Sequence, residues 1–233
     1  MASSAYPYST IAMKFEALLF DCDGVLVDSE PLTNGVLCTM FNEAGWAISP
    51  EECMATFIGK TVRSEAVRIQ AHTGQPLTDA WMAEFYARRN AEIERHLQPI
   101  AGAVDAVRAL HRLTDGRIAC ASGADRFKVE MQLRQVGLSE LFDGHVFSGH
   151  EMPATKPAPD VYLAAAAALG VPAVRCLVIE DTVTGVTAGV AAGATVWGYA
   201  PGGTGHGSAE ALRAAGAAHI FTAMGDLPGL LMG

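Results

Sequence analysis

The chain has 233 residues, of which half are hydrophobic, and a formal net charge of −9 at pH 7. This length can form one large α/β domain, or a core domain that carries a smaller insertion. The acidic balance argues against a nucleic-acid-binding surface, which would be basic, but a few well-placed cations could still hold a small anionic substrate.

Targeting and redox signals point to a cytoplasmic protein. Residues 1–13 lack the basic and apolar regions of a signal peptide, so we expect a flexible tail there. We find no apolar run long enough to span a membrane. The five cysteines are scattered without CxxC spacing, which predicts neither disulfides nor a zinc site. Nothing in the sequence indicates oligomerisation, so we expect a monomer.

The first predicted strand ends in two aspartates. Residues 15–30 read FEALLFDCDGVLVDSE, and the uncharged run at 17–20 is typical of a strand buried on both faces of a parallel sheet. Asp21 and Asp23 follow directly, at the end of the strand where ligands bind in open parallel sheets. Two carboxylates this close repel each other unless a cation or a shared proton relieves them. Gly24 lets the chain turn close to whatever binds.

A helical block interrupts the chain after this strand. Between Pro31 and about Pro99 the apolar residues recur at helical spacing, and no segment predicts a strand. Ser29 is predicted to be the N-cap of the first helix. The block is large enough to form a small subdomain.

Strands and helices then alternate to the end of the chain, which predicts a parallel sheet covered by helices on both faces. The predicted helices span 103–113, 126–136, 159–169 and 183–192, with one more near the end. The predicted strands span 117–121, 145–147, 176–179, 195–199 and 217–221. The glycine-rich segment 201–208 is expected to be a surface loop, and the histidines show no metal-ligand spacing.

Polar residues follow three of these later elements. Ser122 and Gly123 come after the second strand, and a hydroxyl with exposed backbone N–H groups can hold phosphate oxygens. Lys156 stands between prolines, and Glu180 and Asp181 end the strand LVIE. Each feature alone has an ordinary explanation, such as a helix cap or a solvated charge. Together and in this order they indicate a site for Mg²⁺ and a phosphoryl group.

Four segments, DCDGVLVDSE, ASG, KPAPDVY and IEDTVTGVTAGVAAGA, resemble the four ordered motifs of the haloacid dehalogenase superfamily. The helical block is similar to the C1 cap of its β-phosphoglucomutase-like and sugar-phosphate phosphatase branch. The resemblance implies a doubly wound, Rossmann-like α/β core formed by residues 14–30 and 97–233. A helical cap, residues 31–96, would be inserted into it.

The resemblance also implies a role for each motif residue. Asp21 would be the nucleophile that takes the phosphoryl group, and Asp23 the general acid and then the base. Mg²⁺ would be held by Asp21, the backbone carbonyl of Asp23 and Asp181, with Glu180 beside them. It would keep Asp21 ionised while Asp23 carries the proton. Phosphate would be bound by Ser122, Gly123 and Lys156.

The reaction depends on what attacks the aspartyl phosphate. Water makes the enzyme a phosphatase for a small phosphorylated metabolite, and a sugar or sugar-acid phosphate is expected. A second sugar hydroxyl makes it a phosphomutase, but Thr33 stands where the mutases have a histidine. The mutase arginine would fall near Val62, one residue before Arg63. A dehalogenase does not use an acid at the position of Asp23. A non-catalytic binding module is the remaining alternative.

The cap is expected to set substrate selectivity, because the core motifs contact only the phosphoryl group and the metal. The candidate substrate-binding residues lie in a predicted inter-helix turn and on the last cap helix. They are Lys60, Thr61, Arg63, Arg89 and Asn90.

Overall fold

A computed structural model describes residues 14–57, 60–203 and 205–233. A six-stranded sheet in the order β3-β2-β1-β4-β5-β6 organises them, with every neighbouring pair parallel. The first strand is therefore central, between the second and the fourth. The strands are β1 (Ala17–Phe20), β2 (Ile118–Ser122), β3 (Val146–Ser148), β4 (Cys176–Glu180), β5 (Thr195–Tyr199) and β6 (His219–Phe221).

Ten α-helices accompany the sheet within the described residues. They are α1 (Glu30–Glu43), α2 (Pro50–Phe57), α3 (Ala66–Thr73), α4 (Asp79–His96), α5 (Ala103–Leu113), α6 (Arg126–Gln135), α7 (Asp160–Ala168), α8 (Val183–Ala191), α9 (Ala209–Ala214) and α10 (Leu227–Met232). No described helix combines the length and apolar character needed to cross a bilayer.

Both faces of the sheet are covered, which explains why the central strands carry no charge inside them. Leu18 and Phe20 of β1 enter one apolar core, which also contains Val107 of α5. The alternate residues of β1 enter a second core, together with Val161 of α7. Because successive side chains of a strand point to opposite faces, a fully apolar strand is what two covered faces require.

Helices α1–α4 form the insert, which has an apolar core of its own. Phe41 packs between Trp46 and Trp81, with ring centroids 4.9 and 5.6 Å away. The two chain segments that join the insert to the sheet run side by side. The N–H of Asp28 donates to the carbonyl of Gln98 at 2.9 Å. The N–H of Ile100 donates to the carbonyl of Leu26 at 3.0 Å.

The predicted alternation of strands and helices is confirmed, with ends shifted by two residues at most. Helix α5 and strand β5 have the predicted bounds. Ser29 occupies the N-cap position of α1 as predicted, but its side chain makes no capping hydrogen bond, because its hydroxyl donates to Asp23 instead. The five cysteines are free thiols.

Candidate functional site

The carboxyl ends of three adjacent strands bring the motif residues together. Asp21 follows β1, Ser122 ends β2 and Glu180 ends β4, and these strands are neighbours in the order β2-β1-β4. Lys156 comes from the segment between β3 and α7 and reaches the same place. Its ammonium lies 2.7 Å from Asp21 Oδ1 and 2.8 Å from Glu180 Oε1. The strand order thus assembles residues that are far apart in the sequence.

Three buried carboxylates form a cluster at this edge. Asp21, Glu180 and Asp181 each place an oxygen within 4.8 Å of the other two. Burial raises the pKa of Asp21 to about 7, against the opposing charge of Lys156. Burial also raises the pKa of Asp181 well above its ordinary value, and the Glu180 and Asp21 carboxylates add to that shift. The cluster therefore carries more negative charge than its surroundings offset.

Glu180 serves mainly to anchor its neighbours. Its Oε1 accepts from Lys156 and from the hydroxyl of Tyr162, at 2.8 and 2.9 Å. Its Oε2 accepts from the backbone N–H groups of Asp181 and Thr182. A Cβ on Gly185 would collide with this carboxylate, so only glycine leaves room for it. Burial opposes ionisation of Glu180, but the charge of Lys156 and the hydrogen bonds that this carboxylate accepts together outweigh burial and lower its pKa.

Asp181 differs from Glu180, because one of its two carboxylate oxygens accepts no hydrogen bond from the described residues. Its Oδ1 is buried and has no hydrogen-bond partner among the described residues. A Cβ on Gly24, whose φ is +76°, would collide with the same carboxylate. A buried carboxylate oxygen without a donor is costly unless a cation binds it. Oxygen ligands of this kind suit Mg²⁺. The three carboxylates and the one lysine also leave a net negative formal charge, which a divalent cation would offset.

Asp23 sits apart from this cluster in a cradle of three donors. Its Oδ1 accepts from Lys128 Nζ and Gln132 Nε2, both at 2.8 Å, and from the hydroxyl of Ser29. Burial by itself would raise the pKa of Asp23, but Lys128 and the other donors lower it to about 2. Among these side chains alone, the pKa of Asp21 is therefore the higher and that of Asp23 the lower. The expectation that Asp21 is ionised while Asp23 carries the proton applies to the site with Mg²⁺ bound, and it stays a prediction.

Sequence reasoning missed Lys128 and Gln132. Both are buried residues of α6, one turn apart on the same face. The i, i+4 spacing of two polar residues among Val129 and Leu133 was the available signal.

Ser122 and Gly123 occupy the turn between β2 and α6. Ser122 is buried, and its Oγ accepts from the N–H of Ala124 at 3.1 Å, which leaves the hydroxyl hydrogen available. The Asp125 side chain caps α6 by accepting from the N–H of Lys128 at 3.0 Å. This turn holds Ser122 beside the carboxylates.

A cavity of about 430 Å³ lies between the sheet edge and the insert. The core contributes Asp21, Asp23, Ser122, Gly123 and Lys156 to its wall, and the insert contributes Lys60, Thr61, Arg63 and Arg89. Arg89 is buried, and its guanidinium binds Asp125 Oδ2 at 3.0 Å. Asn90 is not part of the cavity wall in the described structure, and its Oδ1 accepts from Arg89 instead. Lys60 and Arg63 make exposed ion pairs with Glu65 and Asp79.

The expectation that residues 201–208 form a plain surface loop is wrong for the second half of the segment. The N–H of Gly207 donates to the Asp181 carbonyl at 2.8 Å. His206 Nε2 donates to the Gly24 carbonyl at 3.1 Å and lies 3.9 Å from Asp181 Oδ2. This half therefore packs against the acidic cluster, and glycine content alone could not predict that contact.

Comparisons with known proteins agree with this geometry. The family model "haloacid dehalogenase-like hydrolase" matches residues 15–193. Hexitol phosphatase B of Escherichia coli K12 is 30% identical over 179 residues, which cover 76% of this chain and 79% of that protein. A solved HAD family hydrolase from Deinococcus radiodurans, with bound phosphate and sodium, is 34% identical with a TM-score of 0.76. The match covers 94% of this chain and 99% of that one.

A longer relative is the chloroplastic Protein SUPPRESSOR OF QUENCHING 1 of Arabidopsis thaliana. It is 34% identical over 198 residues, which cover 80% of this chain. The chain spans only 18% of that relative's length.

Proposed function

Since the chain belongs to the haloacid dehalogenase-like hydrolases and is a phosphatase of that family, we propose that it hydrolyses a small sugar or sugar-acid phosphate. The proposed route passes through an aspartyl phosphate on Asp21. The observation that carries this proposal is the position of Asp21. Its carboxylate lies against Lys156 at 2.7 Å, inside the buried acidic cluster and on the wall of the cavity.

We propose Mg²⁺ as the cofactor, held by Asp21, Asp181 and the backbone carbonyl of Asp23. When bound, the ion would offset the repulsion between the Asp21 carboxylate and the phosphate dianion. The unpartnered Oδ1 of Asp181 supports this assignment. Glu180, whose oxygens already accept hydrogen bonds, would hold Lys156 and Asp181 in place rather than bind the ion directly.

The protein's own residues would divide the reaction into two displacements. In the first, an Asp21 oxygen attacks phosphorus, the ester P–O bond breaks, and Asp23 gives its proton to the leaving alkoxide. In the second, Asp23 takes a proton from water, which attacks the aspartyl phosphate and releases phosphate. Lys156 and Ser122 would hold the phosphoryl oxygens in both. The low pKa of Asp23 supports its role as the base of the second step, and the proton that it takes from water there is the one that it gives to the leaving alkoxide in the next turnover.

Replacing Asp21 by Asn tests the covalent step, because it removes the nucleophilic anion with little change in shape. We expect phosphate release from p-nitrophenyl phosphate with Mg²⁺ to fall by about a thousandfold or more. The matched control is Asp105→Asn, which changes an exposed aspartate of α5 and should leave the rate unchanged. If Asp21→Asn kept a tenth of the wild-type rate while properly folded, the aspartyl phosphate mechanism would be wrong.

A further inference from the structure

One wall of the cavity carries polar atoms that nothing in the described structure satisfies. Glu30, Thr33 and Asn34 lie on the first turns of α1 and line the cavity together with Asp21 and Asp23. Asn34 is only 4% exposed, and its Oδ1 has no hydrogen-bond partner among the described residues. The Thr33 hydroxyl oxygen is also buried and has none there.

The hydrogen bonds donated by Asn34 Nδ2 fix the orientation of its side-chain amide. Its Nδ2 donates to the Glu30 carbonyl at 3.0 Å and to Glu30 Oε2 at 3.1 Å. The Glu30 carbonyl can only accept a hydrogen bond, so the amide nitrogen of Asn34 must face it and Oδ1 must face away. A buried acceptor left without a donor costs about 1–3 kcal/mol. Two such oxygens on neighbouring residues of one cavity wall indicate a place where a ligand supplies O–H groups.

The charges around the cavity narrow the chemistry of that ligand. The buried cations Arg89, Lys128 and Lys156 already pair with Asp125, Asp23 and the Asp21–Glu180 carboxylates. A hydroxyl-bearing group can bind to the α1 wall without breaking any of these pairs. Breaking a buried pair is costly because it leaves a charge uncompensated.

We propose that Thr33 and Asn34 are specificity-determining residues that hydrogen-bond hydroxyl groups on the alcohol part of the substrate, which is therefore a polyhydroxylated phosphate ester. The inference rests on the proposed function, since it assigns the leaving-group half of the same site. Leu37 of α1 and Phe85 of α4 are apolar residues that also line the cavity, and they would contact the C–H groups between those hydroxyls.

The test compares esters that differ only in their hydroxyls. Sorbitol 6-phosphate and n-hexyl phosphate have the same six-carbon chain and the same primary phosphate, and glucose 6-phosphate adds a ring. For each, kcat/KM is measured with Mg²⁺ in the wild type and in Thr33→Val and Asn34→Leu. The control is Thr39→Val, the same change at an exposed position of α1 that does not line the cavity. Thermal unfolding of each variant confirms that it folds.

We expect kcat/KM of the wild type to be higher for at least one of the two polyhydroxylated esters than for n-hexyl phosphate, and the ratio of these two values is the preference. Thr33→Val should reduce that preference by about 3- to 10-fold, and Asn34→Leu by about tenfold, because each removes one hydrogen-bond partner. Activity on n-hexyl phosphate should fall far less, and Thr39→Val should keep the wild-type ratio. An unchanged ratio in both folded variants, or a wild type without the preference, would overturn the inference. A wild type that hydrolyses none of the three esters, nor p-nitrophenyl phosphate, would contradict the proposed function itself.

Discussion

Asp23 illustrates how much of the site depends on a single buried pair. Its side chain is 15% exposed and that of Lys128 is 7% exposed, with 2.8 Å between Nζ and Oδ1. In such surroundings the cost of removing both charges from water is large, and the pair offsets it only while both partners are present. Losing one partner therefore costs more than losing both.

This asymmetry gives a double-mutant prediction. Asp23→Asn leaves the Lys128 ammonium buried without its carboxylate, so the free energy of unfolding should fall by about 3–5 kcal/mol. The double variant Asp23→Asn, Lys128→Met should recover most of that loss, because no unpaired charge remains. Urea denaturation without Mg²⁺ measures the free energy of unfolding of the wild type, of Asp23→Asn, of Lys128→Met and of the double variant. Arg134→Met, an exposed change on the same helix, is the control for loss of a cation. Additive effects of the two substitutions would show that the pair is not coupled.

Lys128 also shows why part of the site could not be predicted from sequence. The motif aspartates, Ser122 and Lys156 stand at strand ends or beside prolines, where the pattern itself singles them out. Lys128 lies in RFKVEMQL, which has the charge content of an ordinary solvated helix. Its partner is 105 residues earlier in the chain. The i, i+4 spacing of Lys128 and Gln132 indicates a shared helix face, but only the packing of α6 beside the end of β1 reveals that this face contacts Asp23.

At the scale of elements, Arg89 ties the insert to the sheet. It stands on α4, and its guanidinium reaches Asp125 at the start of α6 and stacks 4.7 Å from the Tyr86 ring. Burial would raise the pKa of Asp125, but Arg89 together with Lys128 outweighs burial and holds the pKa below its ordinary value. A carboxyl whose folded pKa is depressed stabilises the fold above its unfolded pKa. That contribution disappears as the pH falls through the folded value.

Asp125→Asn should therefore destabilise the protein in a pH-dependent way. Asparagine still caps α6, so the change removes mainly the charge that Arg89 faces. We expect a loss of about 1–3 kcal/mol at pH 7. This loss should shrink as the pH falls below about 4, where the unfolded wild-type chain becomes protonated, and disappear once the pH is below the depressed folded pKa of Asp125. Denaturation series at several pH values test this. Asp79→Asn, which removes an exposed ion pair with Arg63, should leave the free energy of unfolding nearly unchanged, because solvent screens that pair. Equal losses from Asp125→Asn at pH 7 and pH 3 would contradict the assignment.

Most elements could be predicted because a helix or strand that buries one face carries apolar residues at a regular spacing. The helix 103–113 has its buried residues at Ala103, Ala106, Val107 and Leu110, and its predicted bounds match the structure. Strand β6 begins two residues later than predicted, since alanines at 217 and 218 have no strong preference. The position of Ser29 at the N-cap was predicted, but the partner of its hydroxyl was not. The nearby Asp23 competes for its hydroxyl, and that competition is tertiary.

For the whole molecule, we expect the acidic cluster to make stability depend on a bound cation. Three carboxylates within 4.8 Å of one another repel, and Mg²⁺ should bind the folded protein far better than the unfolded chain. Saturating Mg²⁺ should raise Tm by several degrees relative to Na⁺ at the same ionic strength. Asp181→Asn should abolish the Mg²⁺ shift and raise the metal-free Tm. Asp23→Asn should keep the shift, because its proposed ligand is a backbone carbonyl. Differential scanning calorimetry measures each, and comparable loss of the shift in both variants would count against that ligand set.

The paired crossings between sheet and insert, Asp28 with Gln98 and Leu26 with Ile100, have a consequence for evolution. Because the two ends of the insert already meet in the core, its length and sequence can change at little entropic cost to the sheet. The carboxylates that we propose to be catalytic lie outside that stretch, whereas Thr33, Asn34 and Arg63 lie within it. One continuous piece of coding sequence can therefore acquire new substrates by mutation or exchange, while the phosphoryl chemistry is inherited unchanged.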